Sequence, residues 1–169
     1  MISNALWQTI ENSSFSSAIA SSEWMFPTIE TLHVVAIVTV IGAIAMMDMR
    51  LLGLSSNRTV RAVAHDTLPV TWIAFGLAVV TGLLLFVSKA TSYMVNPYFL
   101  WKFGLMALAG LNMAVFHRHV SKGMDDWGTP GHAIPINAKL AGALSLALWA
   151  VIPFCGRVIG FTLGVYYTA

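Results

Sequence analysis

The chain has 169 residues, of which 57% are hydrophobic and only 9% charged, with a mean hydropathy of +0.76. Soluble domains carry about 25% charged residues, so this composition excludes an ordinary water-soluble fold and makes lipid the principal solvent. A net charge of +2 without a basic run excludes nucleic acid as a partner, and the single cysteine, Cys155, excludes an intrachain disulfide framework or a thiolate metal site.

Residues 1–23 (MISNALWQTIENSSFSSAIASSE) are too polar to span a bilayer. Ile2, Leu6, Trp7 and Ile10 recur at helical spacing, which predicts a short interfacial helix, with a flexible leader as the alternative. No Lys or Arg precedes an apolar core, as it would in a cleaved signal. Residues 24–169 then read as one all-α domain, an integral membrane four-helix bundle with spans at about 28–52, 68–87, 98–116 and 140–163. The segments between the spans are rich in Ser, Asn, Gly and Pro, which break helices. Pro69 and Pro97 fall near expected helix starts, where a missing N–H is harmless. Pro153 lies inside the last span and should kink it.

Orientation follows from the basic residues. Arg50, Arg58, Arg61, Arg118, Lys122 and Lys139 flank the first and third connections, against Lys89, Lys102 and Arg157 on the other side. Six against three predicts a multi-pass protein with both termini outside the cytoplasm.

Residue number converts to depth at 1.5 Å per residue, once midpoints are set near Thr39, Ala78, Leu108 and Ala150. His33 and Lys102 then lie roughly 9 Å above the midplane and Arg157 about 10 Å above it, with Glu30 one turn further out on the face of His33. Asp48, Arg50, Trp72, Asn112 and His117 fall in the inner half. Ionisable groups within a span are costly and mark a site by default. The bland readings are a snorkelling Lys102 and Arg157, a His33 that serves only as an interhelical hydrogen-bonder, and an interfacial His117. On the third span Lys102, Met106, Met113 and His117 fall within about 60° of one another. On the fourth, Gly142, Ser145, Trp149, Pro153, Gly156 and Gly160 share a small-residue face suited to close packing or self-association into a homo-oligomer. Trp72, Trp101 and Trp149 would line a flat apolar slot.

Three chemistries bear on these residues. A b-type haem takes histidines on facing helices, but His33 and His117 differ by roughly 22 Å in depth and cannot share one iron. A haem would use His33 as the metal ligand, with Met106 or Lys102 as an unusual partner and Lys102 and Arg157 on its propionates, or His117 in the inner layer, where His65 is a possible partner in depth. Copper would use the soft thioethers of "MMDM" (Met46, Met47, Met49), although that spacing does not turn all three inward. No catalytic triad, phosphate loop or zinc-spaced histidine pair is present, so no enzyme activity is assigned.

The stretch "SSEWMFPTIETLHVVAIVTVIGAIAMMDMRLLGL", with "LPVTWIAFGLAVVTGLLLF", "NPYFLWKFGLMALAGLNMAVFH" and "GRVIGFT", resembles a family of four-helix bacterial inner-membrane proteins without an assigned activity. The resemblance covers most of residues 20–162 and picks out Pro27, Glu30, His33, Asp48, Arg50, Pro69, Gly82, Asn96, Lys102, Asn112, His117 and Arg157. In topology the bundle is also similar to CopD-type copper-resistance membrane proteins and b-type cytochrome subunits. The leading expectation is therefore a membrane redox protein holding haem b among its helices, with Glu30 at the rim of the site and quinone exchange as an extension. Copper handling and a non-catalytic accessory subunit are the alternatives.

Overall fold

The computed structural model describes residues 2–54 and 57–166. Its elements are α1 (Ile2–Glu11), α2 (Ser14–Ser21), α3 (Met25–Leu51), α4 (Val60–Ser88), α5 (Ala90–Met94), α6 (Pro97–Val115) ending in a π-turn (Phe116–Val120), and α7 (Ile136–Thr162); no strand occurs among the described residues. The segments Met25–Leu51, Val60–Ser88, Pro97–Val120 and Ile136–Thr162 are long and apolar enough to cross a membrane. Between 6% (α6) and 22% (α7) of each span's most apolar window is buried within the protein, so most of the apolar surface faces lipid and α6 is held most loosely. The protein is an all-α, multi-pass bundle.

One boundary differs from expectation. α4 begins at Val60, eight residues before the predicted start, because the Thr59 side chain caps it by accepting from Ala62 N at 3.2 Å. Apolar composition marks where lipid begins, whereas the capped helix starts in water with Arg61, His65 and Asp66 exposed on its first turns. Pro69 is therefore inside α4. The carbonyl it deprives of a donor is that of His65, an exposed residue within reach of water. Pro97 does occupy the first turn of α6, behind an Asn96 cap.

Around the bundle the order is α4, α3, α7, α6: α3 packs along α4 and along α7, and α7 along α6, whereas α4 and α6 share no extended contact. That fourth seam is closed only at the end carrying both termini. There Phe86 of α4 stacks on Phe99 of α6 (5.6 Å between centroids), Tyr93 of α5 lies 5.2 Å from Phe99, and Trp7 of α1 meets Phe86 edge-on at 5.8 Å. The N-terminal helices dock on this end. Buried Ser16 donates to Val87 O at 2.8 Å, Ile19 is 1% exposed, and the Glu11 carboxylate accepts from Thr91 N (2.9 Å) and from the Thr91 hydroxyl. Asn96, fully buried, ties α6 to α7: its Oδ1 accepts from Tyr98 N and its Nδ2 donates to Thr162 Oγ1, both at 3.0 Å.

The opposite end carries a folded cap made from residues 116–135. Trp127 inserts with Leu51, Val60, Phe116 and Ala138 into a buried apolar cluster. Arg50, only 2% exposed, staples it: Nε donates to Arg58 O at 2.5 Å, and the guanidinium fills the space where a side chain on Gly128 (φ +81°) would project. The small-residue face of α7 is used inside the chain. Gly142 lets α7 approach the Asp48 carbonyl and Leu51 of α3, where an added Cβ would lie 3.2 Å from each.

Candidate functional site

The four residues placed in one outer layer separate into smaller groups. His33 faces α4, where Gly82 leaves space for its ring (an added Cβ would lie 3.0 Å from Cε1) and Thr81 holds Nδ1 at 2.9 Å. Because the Thr81 hydroxyl already donates to Leu77 O at 2.7 Å, its oxygen is placed to accept from Nδ1–H of His33, and the Ala78 carbonyl is a further acceptor for the ring. Lys102 lies close enough to His33 and Cys155 for their charges to interact, and its Nζ is 3.8 Å from where a Gly156 Cβ would stand. Arg157 is exposed and lies over Phe161, 4.6 Å from its centroid, and Glu30 is exposed. On α5, burial and then the nearby Glu30 carboxylate push the Tyr93 phenol up to about 12.

Towards the capped end the open seam widens into a cavity of about 210 Å³. It extends along α3 from Val40 to Leu51, a length of about 16 Å at the helical rise. Its walls are aromatic and thioether-rich: Trp72 and Phe75 from α4, Trp149 from α7, and Met47, Met106, Met113 and Met124. Of the three tryptophans expected to form a slot, Trp72 and Trp149 do so, whereas Trp101 is 67% exposed on the outer surface. Of the "MMDM" sulfurs only Met47 lines the cavity; Met46 and Met49 are exposed.

Besides Thr67 and Thr71, whose hydroxyls donate to carbonyls of their own helix, Asp48, Ser145 and Asn112 break this lining. Asp48 is 6% exposed, and its Oδ2 is fully buried without a hydrogen-bond partner among the described residues. Ser145 of α7 is the side chain that faces its carboxyl. Asn112 donates from Nδ2 to Ala141 O at 3.0 Å, fixing its amide against α7. His117 stands at the exposed rim on the π-turn, its Nδ1 donating to Met113 O at 2.9 Å and leaving Nε2 as an acceptor.

A b-type haem finds its requirements divided between the two halves. The cavity offers one histidine, His117, and no Lys or Arg among its lining residues, while Lys102 belongs to the His33 group and Arg157 faces outwards. At about 210 Å³ the cavity is smaller than the roughly 300–1,000 Å³ of drug-sized ligand pockets. An anionic propionate near the Asp48 carboxyl would meet like charge. The residues present do not fit a haem, and no step is derived through one. His65 is exposed beside Asp66, outside the cavity lining, so it does not join His117. No group of three or more His, Cys, Asp or Glu that could hold a metal ion occurs among the described residues.

Depth along the spans puts Asp48 and His117 in one half, and the sequence offers His33 and His117 as alternative ligands, but it does not reveal the cavity that Asp48 and His117 share with Trp72, Ser145 and Trp149. The signal present in the sequence is the stripe Met106–Met113–His117, all of which line the cavity. Comparison of the chain with protein-family models, curated proteins and solved structures gives no match, so the functional reading rests on this site.

Proposed function

We propose that the protein takes a small, lipid-soluble molecule from the bilayer into the cavity through the seam between α4 and α6, with the polar head of that molecule at Asp48 and its body against Trp72 and Trp149. It acts as a membrane binding or carrier protein in a bacterial inner membrane, both termini periplasmic. The uneven distribution of Lys and Arg supports that orientation, and the resemblance to four-helix inner-membrane proteins supports the location. The observation that carries the reading is the unpartnered Oδ2 of Asp48 at the bottom of a cavity whose open side faces lipid. A polar atom left unpaired in such surroundings destabilises the fold, and its retention is explained by a ligand that completes it. The redox reading narrows accordingly to a flat quinone ring as one neutral occupant.

Gly110 provides the test, because it lines the cavity and a Cβ added there meets nothing within 4 Å. Gly110→Phe should fill the cavity without a backbone clash. In nanodiscs, a short-tailed benzoquinone or a hydrophobic cation should quench Trp72 and Trp149 fluorescence saturably in the native protein and only by bulk partitioning in Gly110→Phe. Identical quenching curves for the two proteins with every probe would overturn the reading.

A second reading has its own observation: four thioethers and His117 border one cavity, a soft donor set suited to Cu(I). It predicts stoichiometric copper in protein purified from copper-loaded cells, and loss of that copper in Met47→Leu/Met113→Leu. Metal-free preparations would remove it.

A further inference from the structure

We propose that the occupant of the cavity is a hydrophobic organic cation, a protonated amine or onium ion, with Asp48 as its counter-ion. This rests on the lateral-binding reading above and names the ligand class.

Charge is the first ground. Among the lining residues Asp48 is the only carboxylate, and the only other titratable side chain is the rim imidazole of His117 on α6. The residues that line the cavity from α4 carry no charge, and α7 presents Ser145 to the carboxyl. Arg50, two positions along α3, is committed elsewhere, to Arg58 O and the space beside Gly128. Asp48 therefore has no cationic side chain beside it in the cavity, so its ionised form there is stabilised by a cation that enters.

The walls supply the second ground. Trp72, Phe75, Phe116 and Trp149 line the same cavity, and an aromatic ring attracts a cation over its face more strongly once water is removed. Thioether side chains adapt to irregular, polarisable ligands. A hard metal ion needs six or more oxygens, which this largely apolar lining does not offer. Access through lipid selects further, for cations with enough apolar surface to partition into the bilayer.

The carboxyl also binds a proton, so the two occupants compete. When a monovalent cation arrives at the protonated site, Asp48 releases its proton to water and keeps the electron pair of the O–H bond as a carboxylate. One positive charge enters as one leaves, and the exchange is electroneutral.

The test uses the full chain in nanodiscs, with empty nanodiscs as the partitioning control. Benzyltrimethylammonium, small enough for a cavity of about 210 Å³, is the cationic probe and a short-tailed benzoquinone the neutral one. We expect saturable benzyltrimethylammonium binding that weakens at least about tenfold in Asp48→Asn, a difference of about 1.4 kcal/mol by the usual conversion. In native protein it should also weaken as pH falls through the titration range of the carboxylate, because protons compete for it, and it should do so equally in His117→Ala. In weakly buffered solution at low pH, binding to the native protein should release about one proton per site, a measurement that needs no variant. Equal affinity in Asp48→Asn and native protein, or binding without proton release, overturns the cation assignment. Quinone binding that Gly110→Phe abolishes, with no benzyltrimethylammonium binding, also overturns it while leaving the lateral-binding reading intact. Failure of both probes sinks both.

Discussion

Gly128→Ala should loosen the cap, and its cost can be worked from two separate terms. At φ +81° an alanine is in the left-handed region, which costs roughly 1–2 kcal/mol. Its Cβ would overlap the Arg50 guanidinium. Because Arg50 is 2% exposed and bonded to Arg58 O, the side chain cannot move aside without losing that contact. A hydrogen bond from a charged group is worth about 1.5–3 kcal/mol, so the whole penalty is roughly 3–5 kcal/mol. At about 2–4 °C per kcal/mol for a chain of this size, thermal unfolding in detergent, followed by intrinsic fluorescence, should fall by roughly 6–20 °C. A double-mutant cycle separates the terms. In an Arg50→Met background the overlap is relieved, and Gly128→Ala should cost only the backbone part, about 1–2 kcal/mol. The same penalty in both backgrounds would refute the claim that Arg50 occupies the space Gly128 leaves.

Other outcomes follow from individual contacts. Asp48→Asn should leave thermal stability unchanged to within about 1 kcal/mol, because it exchanges one unpaired buried polar atom for another and keeps an oxygen for Ser145; a strong loss of Tm would mean that the carboxylate holds the fold together. Gly82→Ala should push the His33 ring off Thr81, a contact worth about 0.6 kcal/mol by membrane-protein averages. NMR would show loss of the protected Nδ1 proton, and an unchanged signal would contradict the packing described. Tyr93 gives an alkaline prediction. Its folded-state value of about 12 exceeds the ordinary 10.0, so its stabilising contribution is complete below pH 10 and vanishes as pH climbs through the folded value. Tyr93→Phe should remove that alkaline loss, checked by unfolding curves across the range. Thr91→Val should release α1 by removing one of the two donors to Glu11, and faster proteolysis near residues 11–14 would show it.

The four spans are legible in the sequence because apolar length is a property of composition, and the chain states it four times. Depth is legible for the same reason: with a fixed rise per residue, position along each span alone puts Asp48 and His117 in the capped half. Azimuth is not. His33, Lys102, Arg157 and Glu30 share a depth, yet Arg157 turns over Phe161 and Glu30 is exposed. Which helices pair decides such things, and pairing depends on close approaches such as Gly142 against Asp48 and Leu51 that no single span reveals. The cap is hidden differently. "KGMDDWGTPGHAIP" has the composition of a solvated loop, and only the burial of Trp127, with Val60 N donating to its carbonyl at 3.4 Å, shows that it is a plug. α4 begins early because a threonine cap works in water, beyond the reach of a hydropathy window.

The plug and the seam together decide which phase the protein samples. With the aqueous end filled by Trp127 and the α4–α6 side open to lipid, the concentration that loads the site is the mole fraction of ligand dissolved in the membrane. Diluting the buffer at constant lipid composition should then hardly change occupancy of a strongly partitioning ligand, whereas adding ligand-free lipid should empty the site. For a molecule scarce in water but enriched in the bilayer, a weak site of this kind fills readily, and apparent affinities per litre of buffer will track the amount of lipid as much as the protein.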